Sequence, residues 1–192
     1  MSLKKILIGV LVAIVLIVII AFMSIKGTYN TLVTLDESTQ TAWSQVETVL
    51  QRRYDLIPNL VATVKGFAQQ EQDVLIGVTK ARASVGQAQT PNQQMEANNQ
   101  LTSALGRLMV IVERYPDLKS NQNFMRLQDE LAGTENRISV ERRRYNESVG
   151  VFNSTMRSFP TVMLAGMFGF ETKTRFEAAA GAEEAVKVDF TN

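Results

Sequence analysis

Any chemistry in this chain would fall to carboxylates, guanidiniums, lysines and tyrosines, because its 192 residues include no cysteine and no histidine. That removes thiolate nucleophiles, disulfides, imidazole general bases and the usual zinc sites in one step. The charged residues gather in short runs: Arg52, Arg53 and Asp55; Glu113 and Arg114; Glu130, Glu135 and Arg137; and the triplet Arg142-Arg143-Arg144. Carboxylates can do acid and base work or bind a divalent cation, and arginines can hold an anion. Nothing in the spacing brings two or three of these carboxylates to one pocket, so no catalytic residue, metal ligand or cofactor site is assigned. The runs read instead as charge pairs and caps that satisfy orphan backbone groups and fix register near helix ends. The arginine triplet reads as a solvated helix face paired with neighbours such as Glu141, with an anionic partner or lipid as the alternative. With 20 basic and 19 acidic residues and a net charge of +1, there is no broad basic field to hold nucleic acid.

The elements that would position these residues hang from one stretch. From Ile6 to Met23 no residue carries a charge or a hydroxyl. At about 1.5 Å per residue that run spans roughly 27 Å, close to a bilayer's hydrocarbon core. Ile6, Val10, Ile14, Val18, Phe22 and Ile25 sample the expected membrane-spanning helix. The run is longer than a signal peptide's apolar region and lacks a small-x-small cleavage site, so an uncleaved anchor is expected. Lys4 and Lys5 before the run, against Lys26 after it, favour a cytoplasmic amino terminus. The rest of the chain is then expected on the far side of the cell (inner) membrane.

Beyond the anchor the apolar residues recur at helical spacing: Leu32, Leu35, Trp43, Val46 and Leu50, then Ile57, Leu60, Val61, Val64, Phe67, Val74, Leu75 and Val78. Pro58 interrupts that pattern with either a kink or a reversal, and the reversal is expected because a merely kinked first helix would have too little partner surface, with Asp55 available as a cap. Gly86 to Gln94, GQAQTPNQQ, reads as a loop. Met95, Leu101, Leu105, Leu108, Met109 and Val112 mark a third helix, which ends at Tyr115-Pro116. A last helix opens near Ser120 or Asn121 and carries Phe124, Leu131, Ile138, Tyr145, Phe152 and Phe159 at seven-residue spacing. Trp43 reads as a core or interface anchor rather than a ligand platform, and Met95, Met109 and Met156 as core. The fold class is therefore all-α, an N-terminal transmembrane helix followed by an up-and-down four-helix bundle. The expected organisation is an anchor at 1–27, a bundle at 28–170 that includes a short apolar helix at 160–170, and a C-terminal tail at 171–192. Val186, Val188 and Phe190 in that tail alternate like a brief strand.

Several stretches resemble the LemA family of bacterial single-span membrane proteins. They are Ala42-Trp43-Ser44-Gln45-Val46, the run Leu50 to Val61 (LQRRYDLIPNLV), Glu113 to Lys119 (ERYPDLK), Leu127 to Leu131 (LQDEL) with Thr134 to Ile138 (TENRI), Tyr145-Asn146 and Gly169-Phe170. The resemblance covers nearly the whole chain after the anchor. It implies an up-and-down four-helix bundle on an amino-terminal anchor, and it implies no settled biochemical activity.

The expected function is that of a membrane-anchored scaffold or interaction protein of the bacterial cell envelope, with membrane lipid, a second copy of the chain or other envelope proteins as partners and no cofactor. A carboxylate- and arginine-based enzyme, or a ligand- or metal-responsive regulator, is the alternative. Topology adds one further candidate surface. The fourth helix of such a bundle returns to the anchor, which brings Phe159 near the lipid surface. The segment after it presents Val162, Met163, Leu164, Met167, Phe168 and Phe170 with no charge until Glu171. That segment would dock on the bilayer, dock on the same segment of a neighbouring protomer, or fold back as a cap over the open end of the core.

Overall fold

The computed structural model describes the backbone of residues 3–176 and the side chains of residues 7–176. Val186, Val188 and Phe190 lie outside the described residues, and so does the side chain of Ile6. The described residues are all-α, without a strand. Six α-helices run in chain order: α1 Leu3–Phe67, α2 Gln72–Gln87, α3 Pro91–Val112, α4 Pro116–Lys119, α5 Gln122–Arg157 and α6 Thr161–Ala165, followed by a 3-10 turn at Gly166–Phe168.

The chain does not reverse at Pro58. α1 passes through that proline as one helix of 65 residues, and the reversal falls at the turn after Phe67. Two local facts explain the correction. Ile57, Leu60, Val64 and Ala68 are all buried and continue one helical stripe across the proline, whereas Pro58 itself points to solvent. A proline at 58 has no N–H to give the carbonyl four residues back, that of Tyr54. The Arg82 Nε from α2 donates to that carbonyl at 3.2 Å, and the guanidinium lies over the Tyr54 ring, 3.8 Å from its centroid. The missing backbone bond is thus replaced by a side chain from the next helix, and the helix survives. The real turn is held by Glu71, whose Oε1 accepts from Arg114 Nη2 at 3.0 Å and from the Tyr115 hydroxyl at 3.1 Å.

The other boundaries follow from capping. The loop expected at Gly86 to Gln94 shrinks to Ala88–Thr90, because Pro91 sits in the first turn of α3 and Thr90 forms a capping box with Gln93. The Asn121 side chain accepts from the backbone N–H groups of Asn123 and Phe124 and so starts α5 where the sequence places it. α5 ends at Arg157, so Phe159 leaves the seven-residue stripe and is exposed, while Phe124, Leu131, Ile138, Tyr145 and Phe152 are buried as expected.

The chain divides into two compact units, Met1–Ala42 with Asn146–Lys173, and Trp43–Tyr145 with Thr174–Asn192. In the second unit four helices pack in an up-and-down bundle around Ile57, Leu60, Leu75, Val78, Leu101, Leu108, Leu118 and Phe124. α2 runs back along α1, with Arg82 at Tyr54. α3 runs forward again, with Asn98 near Arg53 and Arg114 at Glu71, and α5 returns, with Glu135 near Arg53 and Tyr145 at Trp43. In the first unit Leu32, Phe152, Met156 and Ala165 form a small core, with Leu35 and Phe170 against it. Here the chain after α6 is turned by Gly169 at φ +74°. The Gly169 N–H donates to the Gly166 carbonyl and the Phe170 N–H to the Ala165 carbonyl, the paired bonds that end a helix on a left-handed glycine. Lys173 then ties down the segment that follows Phe170. Its backbone N–H and carbonyl both bond the Asn153 side chain, and its Nζ lies 2.7 Å from Asp36.

Candidate functional site

Of the charged side chains that the sequence singles out, Arg53 and Glu135 meet inside the second unit with Arg142 at their border, while Arg52, Asp55, Glu130, Arg137, Arg143 and Arg144 are exposed. Along α1 the buried face steps through Val46, Leu50, Arg53, Ile57, Leu60 and Val64, alternating four and three residues, so Arg53 occupies a core position in the middle of the helix rather than a place near its end. Its side chain is almost wholly enclosed, with the residue 4% exposed. Nη1 donates to Thr102 Oγ1 at 3.0 Å and to Asn98 Oδ1 at 3.3 Å, both on α3. Glu135 Oε2 on α5 lies 2.7 Å from the same nitrogen, a close charge contact that is not aligned as a hydrogen bond. Asn98 is buried beside Arg53, and Thr134, next to Glu135 in sequence, is buried with its hydroxyl donating to the Leu131 carbonyl. A polar layer thus crosses an apolar core.

Arg142 on α5 borders this layer. It is half-buried, with its guanidinium 4.8 Å from the centroid of the Phe176 ring and Nη2 3.4 Å from Asn99 Oδ1. Burial lowers the pKa of both arginines. Glu135 opposes that shift in each case, and the neighbouring Arg142 adds to it for Arg53. A guanidinium remains charged through shifts of this kind, so the layer holds fixed positive charge beside one carboxylate. The Nε of Arg53, the Nε of Arg142 and the Nδ2 of Asn98 are buried and find no acceptor among the described residues. Arginine gives up no proton here, and among the described residues no three acidic groups come together to hold a cation. What this arrangement can do is hold register. A slip of α1 against α3 or α5 would strand a buried guanidinium without Glu135, Asn98 and Thr102.

The remainder of the triplet is as expected: Arg143 and Arg144 are exposed, and Arg144 pairs with Glu141 at 2.8 Å. Arg52 and Glu130 face each other at 3.9 Å on the surface, and Glu113 pairs with Lys119 at 2.6 Å. Trp43 is half-buried, edge-on to Tyr145 at 5.2 Å and stacked on Phe176 at 5.7 Å, and the Tyr145 hydroxyl donates to the Thr174 carbonyl. Burial pushes the Tyr145 phenol up.

Two surfaces lie open. One is a groove of about 770 Å³ whose α1 wall is Ser44, Glu47, Thr48, Leu50, Gln51 and Tyr54, opposite Val85 and Gly86 of α2 and Gln94 of α3, whose Nε2 donates to Glu47 Oε1 at 3.2 Å. Gly86 keeps this wall close, because a Cβ there would stand 3.2 Å from the Tyr54 hydroxyl oxygen. The other belongs to the first unit. Of the apolar segment singled out in the sequence, Val162, Met163 and Met167 are exposed, while Leu164, Phe168 and Phe170 are half-buried. In the long apolar run of α1, Val10, Ile14, Val18, Phe22 and Ile25 are all exposed, and the helix is long and apolar enough to cross a membrane. Sequence reasoning missed the polar layer and the groove. The signal for the first was present, since Arg53 falls in phase with Val46, Leu50 and Ile57.

Residues 42–190 match the LemA family. The chain is similar to magnetosome protein MamQ 2 of Paramagnetospirillum magneticum, with 27% identity over 175 residues, covering 78% of this chain and 64% of that protein. It is similar to magnetosome protein MamQ of Magnetospirillum gryphiswaldense, with 27% identity over 180 residues, covering 80% of this chain and 66% of the relative. Protein LemA of Metamycoplasma hominis is 25% identical over 154 residues, covering 80% of this chain and 70% of that protein. The chain therefore spans just under two thirds of the length of the magnetosome relatives it matches.

Proposed function

The chain belongs to the LemA family, and from that premise we propose that it is a membrane-anchored scaffold of the bacterial cell envelope, which binds a second copy of itself or another envelope protein through its helix faces. The observation that carries this reading is the contrast between the polar layer and the groove. The buried Arg53 guanidinium is held by Thr102, Asn98 and Glu135 inside the bundle, whereas Ser44, Thr48 and Gln51 stand exposed along the α1 wall of the groove over about two helical turns. Such a face suits a segment of another protein laid along it. It requires no bond-making chemistry, so the function proposed is binding rather than catalysis. The anchor is assigned to the cell (inner) membrane, with the amino terminus in the cytoplasm and the bundle beyond the membrane, from the two lysines before the span against one after it.

Site-specific photo-crosslinkers at Thr48 and Gln51, in the full-length protein within its own membrane, test the binding reading. Discrete protein adducts at both positions and none at Arg143 are expected. Absence of adducts at the groove, together with a rise in melting temperature on adding a divalent cation or a phosphate compound, would replace the scaffold with a ligand-responsive regulator. A reporter active only in the cytoplasm, fused after Asn192, should stay silent if the orientation is right.

A further inference from the structure

The segment after α5 is two-faced. On one side Ala165 packs with Leu32, Phe152 and Met156, and the rings of Phe168 and Phe170 lie 5.0 and 6.1 Å from that of Tyr29. On the other, Phe159, Val162, Met163 and Met167 are 80, 53, 67 and 79% exposed. No charge interrupts the chain between Arg157 and Glu171. The α6 end therefore presents bulky apolar groups to solvent although a core of its own lies directly beneath them.

The position of Tyr29 says what covers this face. Ile6 to Ile25 at about 1.5 Å per residue is roughly 30 Å, the thickness of a hydrocarbon core. Tyr29 lies four residues further along the same helix, about 6 Å beyond the span. The headgroup layer on each side of a bilayer is about 5 to 8 Å deep. A helix that crosses the membrane thus carries Tyr29, and the Phe168 ring in contact with it, into the headgroup region. Lys26 and Arg157, both exposed, supply cations of the kind that settle at lipid phosphates.

We propose that Phe159, Val162, Met163 and Met167 form a second membrane contact, inserted at the interface of the bilayer that α1 crosses. The inward residues of the segment cap the small core, and the outward ones are wetted by lipid. The contact is shallow because the segment is too short to span. It rests on α1 being a membrane span, and the test separates the two.

The chain has no cysteine, so Met163→Cys, Ile14→Cys and Val110→Cys each give one labelling site in the full-length protein. Each is labelled with an environment-sensitive fluorophore and reconstituted into vesicles of phosphatidylethanolamine and phosphatidylglycerol, which carry a nitroxide either at the headgroup or deep in the acyl chain. The label at 163 should shift to the blue and be quenched by the headgroup nitroxide more than by the deep one. The label at 14 should follow the deep nitroxide, and the label at 110, on α3, neither. Quenching at 14 without quenching at 163 overturns the second contact and leaves the span standing. Quenching at neither position overturns both. A blue shift at 163 that survives without lipid quenching and disappears as the lipid-to-protein ratio is raised makes a second copy the occupant and overturns the lipid assignment. Met163→Asp with Met167→Asp, checked for retained helicity, should lose the headgroup quenching of a label at Val162→Cys.

Discussion

The two units invert the usual distribution of polar and apolar groups in opposite ways. In the second unit polar groups are taken inside, with the charged Arg53 and the neutral Asn98 and Thr134 buried. In the first, apolar groups stay outside, along the span of α1 and on the α6 end. Each inversion would be costly alone, since an unpaired buried charge and a broad exposed apolar face are both disfavoured in water. The difference shows that burial must be judged against the solvent an element meets. The first unit's exposed apolar groups match a lipid phase, whereas the second unit's buried charge is tolerable only because partners from two other helices reach it.

The comparison can be tested by substitution, beginning where the effect is largest. Ile138 lies fully buried in the α5 stripe. Ile138→Ala should cost about 2 to 4 kcal/mol in urea melts of the detergent-solubilised protein. Removing the partner of the buried guanidinium tests the polar layer. Glu135→Ala should cost about 1 to 3 kcal/mol, moderated because that carboxylate is partly exposed. Arg53→Met is expected to cost less than Glu135→Ala, because it removes the charge rather than stranding it. The reverse order would mean that the layer is held together by attraction and not by the penalty for slippage.

Arg82→Ala leaves the Tyr54 carbonyl without a donor and should cost about 1 to 2 kcal/mol. In a Pro58→Ala background the backbone supplies its own bond, so the same change should cost much less. Equal costs in both backgrounds would show that the stacking on Tyr54, not the carbonyl, is what Arg82 serves. A smaller effect is set by pH. The Tyr145 phenol is raised by burial, so its contribution is complete below the unfolded value near about 10 and is lost as pH climbs towards the folded value. Melts followed between neutral and alkaline pH should show this decline, and Tyr145→Phe should flatten it. Least of all, Arg143→Ala and Met163→Ser should each change stability by under about 0.5 kcal/mol. A large loss from Met163→Ser would mean that the α6 end is core rather than surface.

Much of the fold was legible because apolar periodicity reports directly on burial. The span, the four amphipathic helices, the start of α5 at Asn121 and the break before Pro116 all follow from residue type and spacing. The proline was misread because its penalty is local, while its remedy, Arg82, comes from another helix. Capping misled in the same way at Pro91, which starts a helix when Thr90 stands before it. The polar layer was hidden for a different reason. Arg52, Arg53, Asp55, Glu130 and Glu135 look alike as charged residues on helices, and only the phase of Arg53 with Val46, Leu50 and Ile57 sets it apart. The two faces of the α6 segment could not be separated by composition, since Leu164, Phe168 and Phe170 are as apolar as Val162, Met163 and Met167.

The replaced hydrogen bond at Pro58 also has an order in time. Tyr54 is synthesised first, and its carbonyl can be bonded only by water until Arg82, 28 positions later, has been added. At a synthesis rate of about 5 to 20 residues per second that interval is on the order of a few seconds. During it α1 has one unfilled rung, placed about three turns before the turn that brings α2 back. That rung of the first long helix therefore waits on a residue of the second.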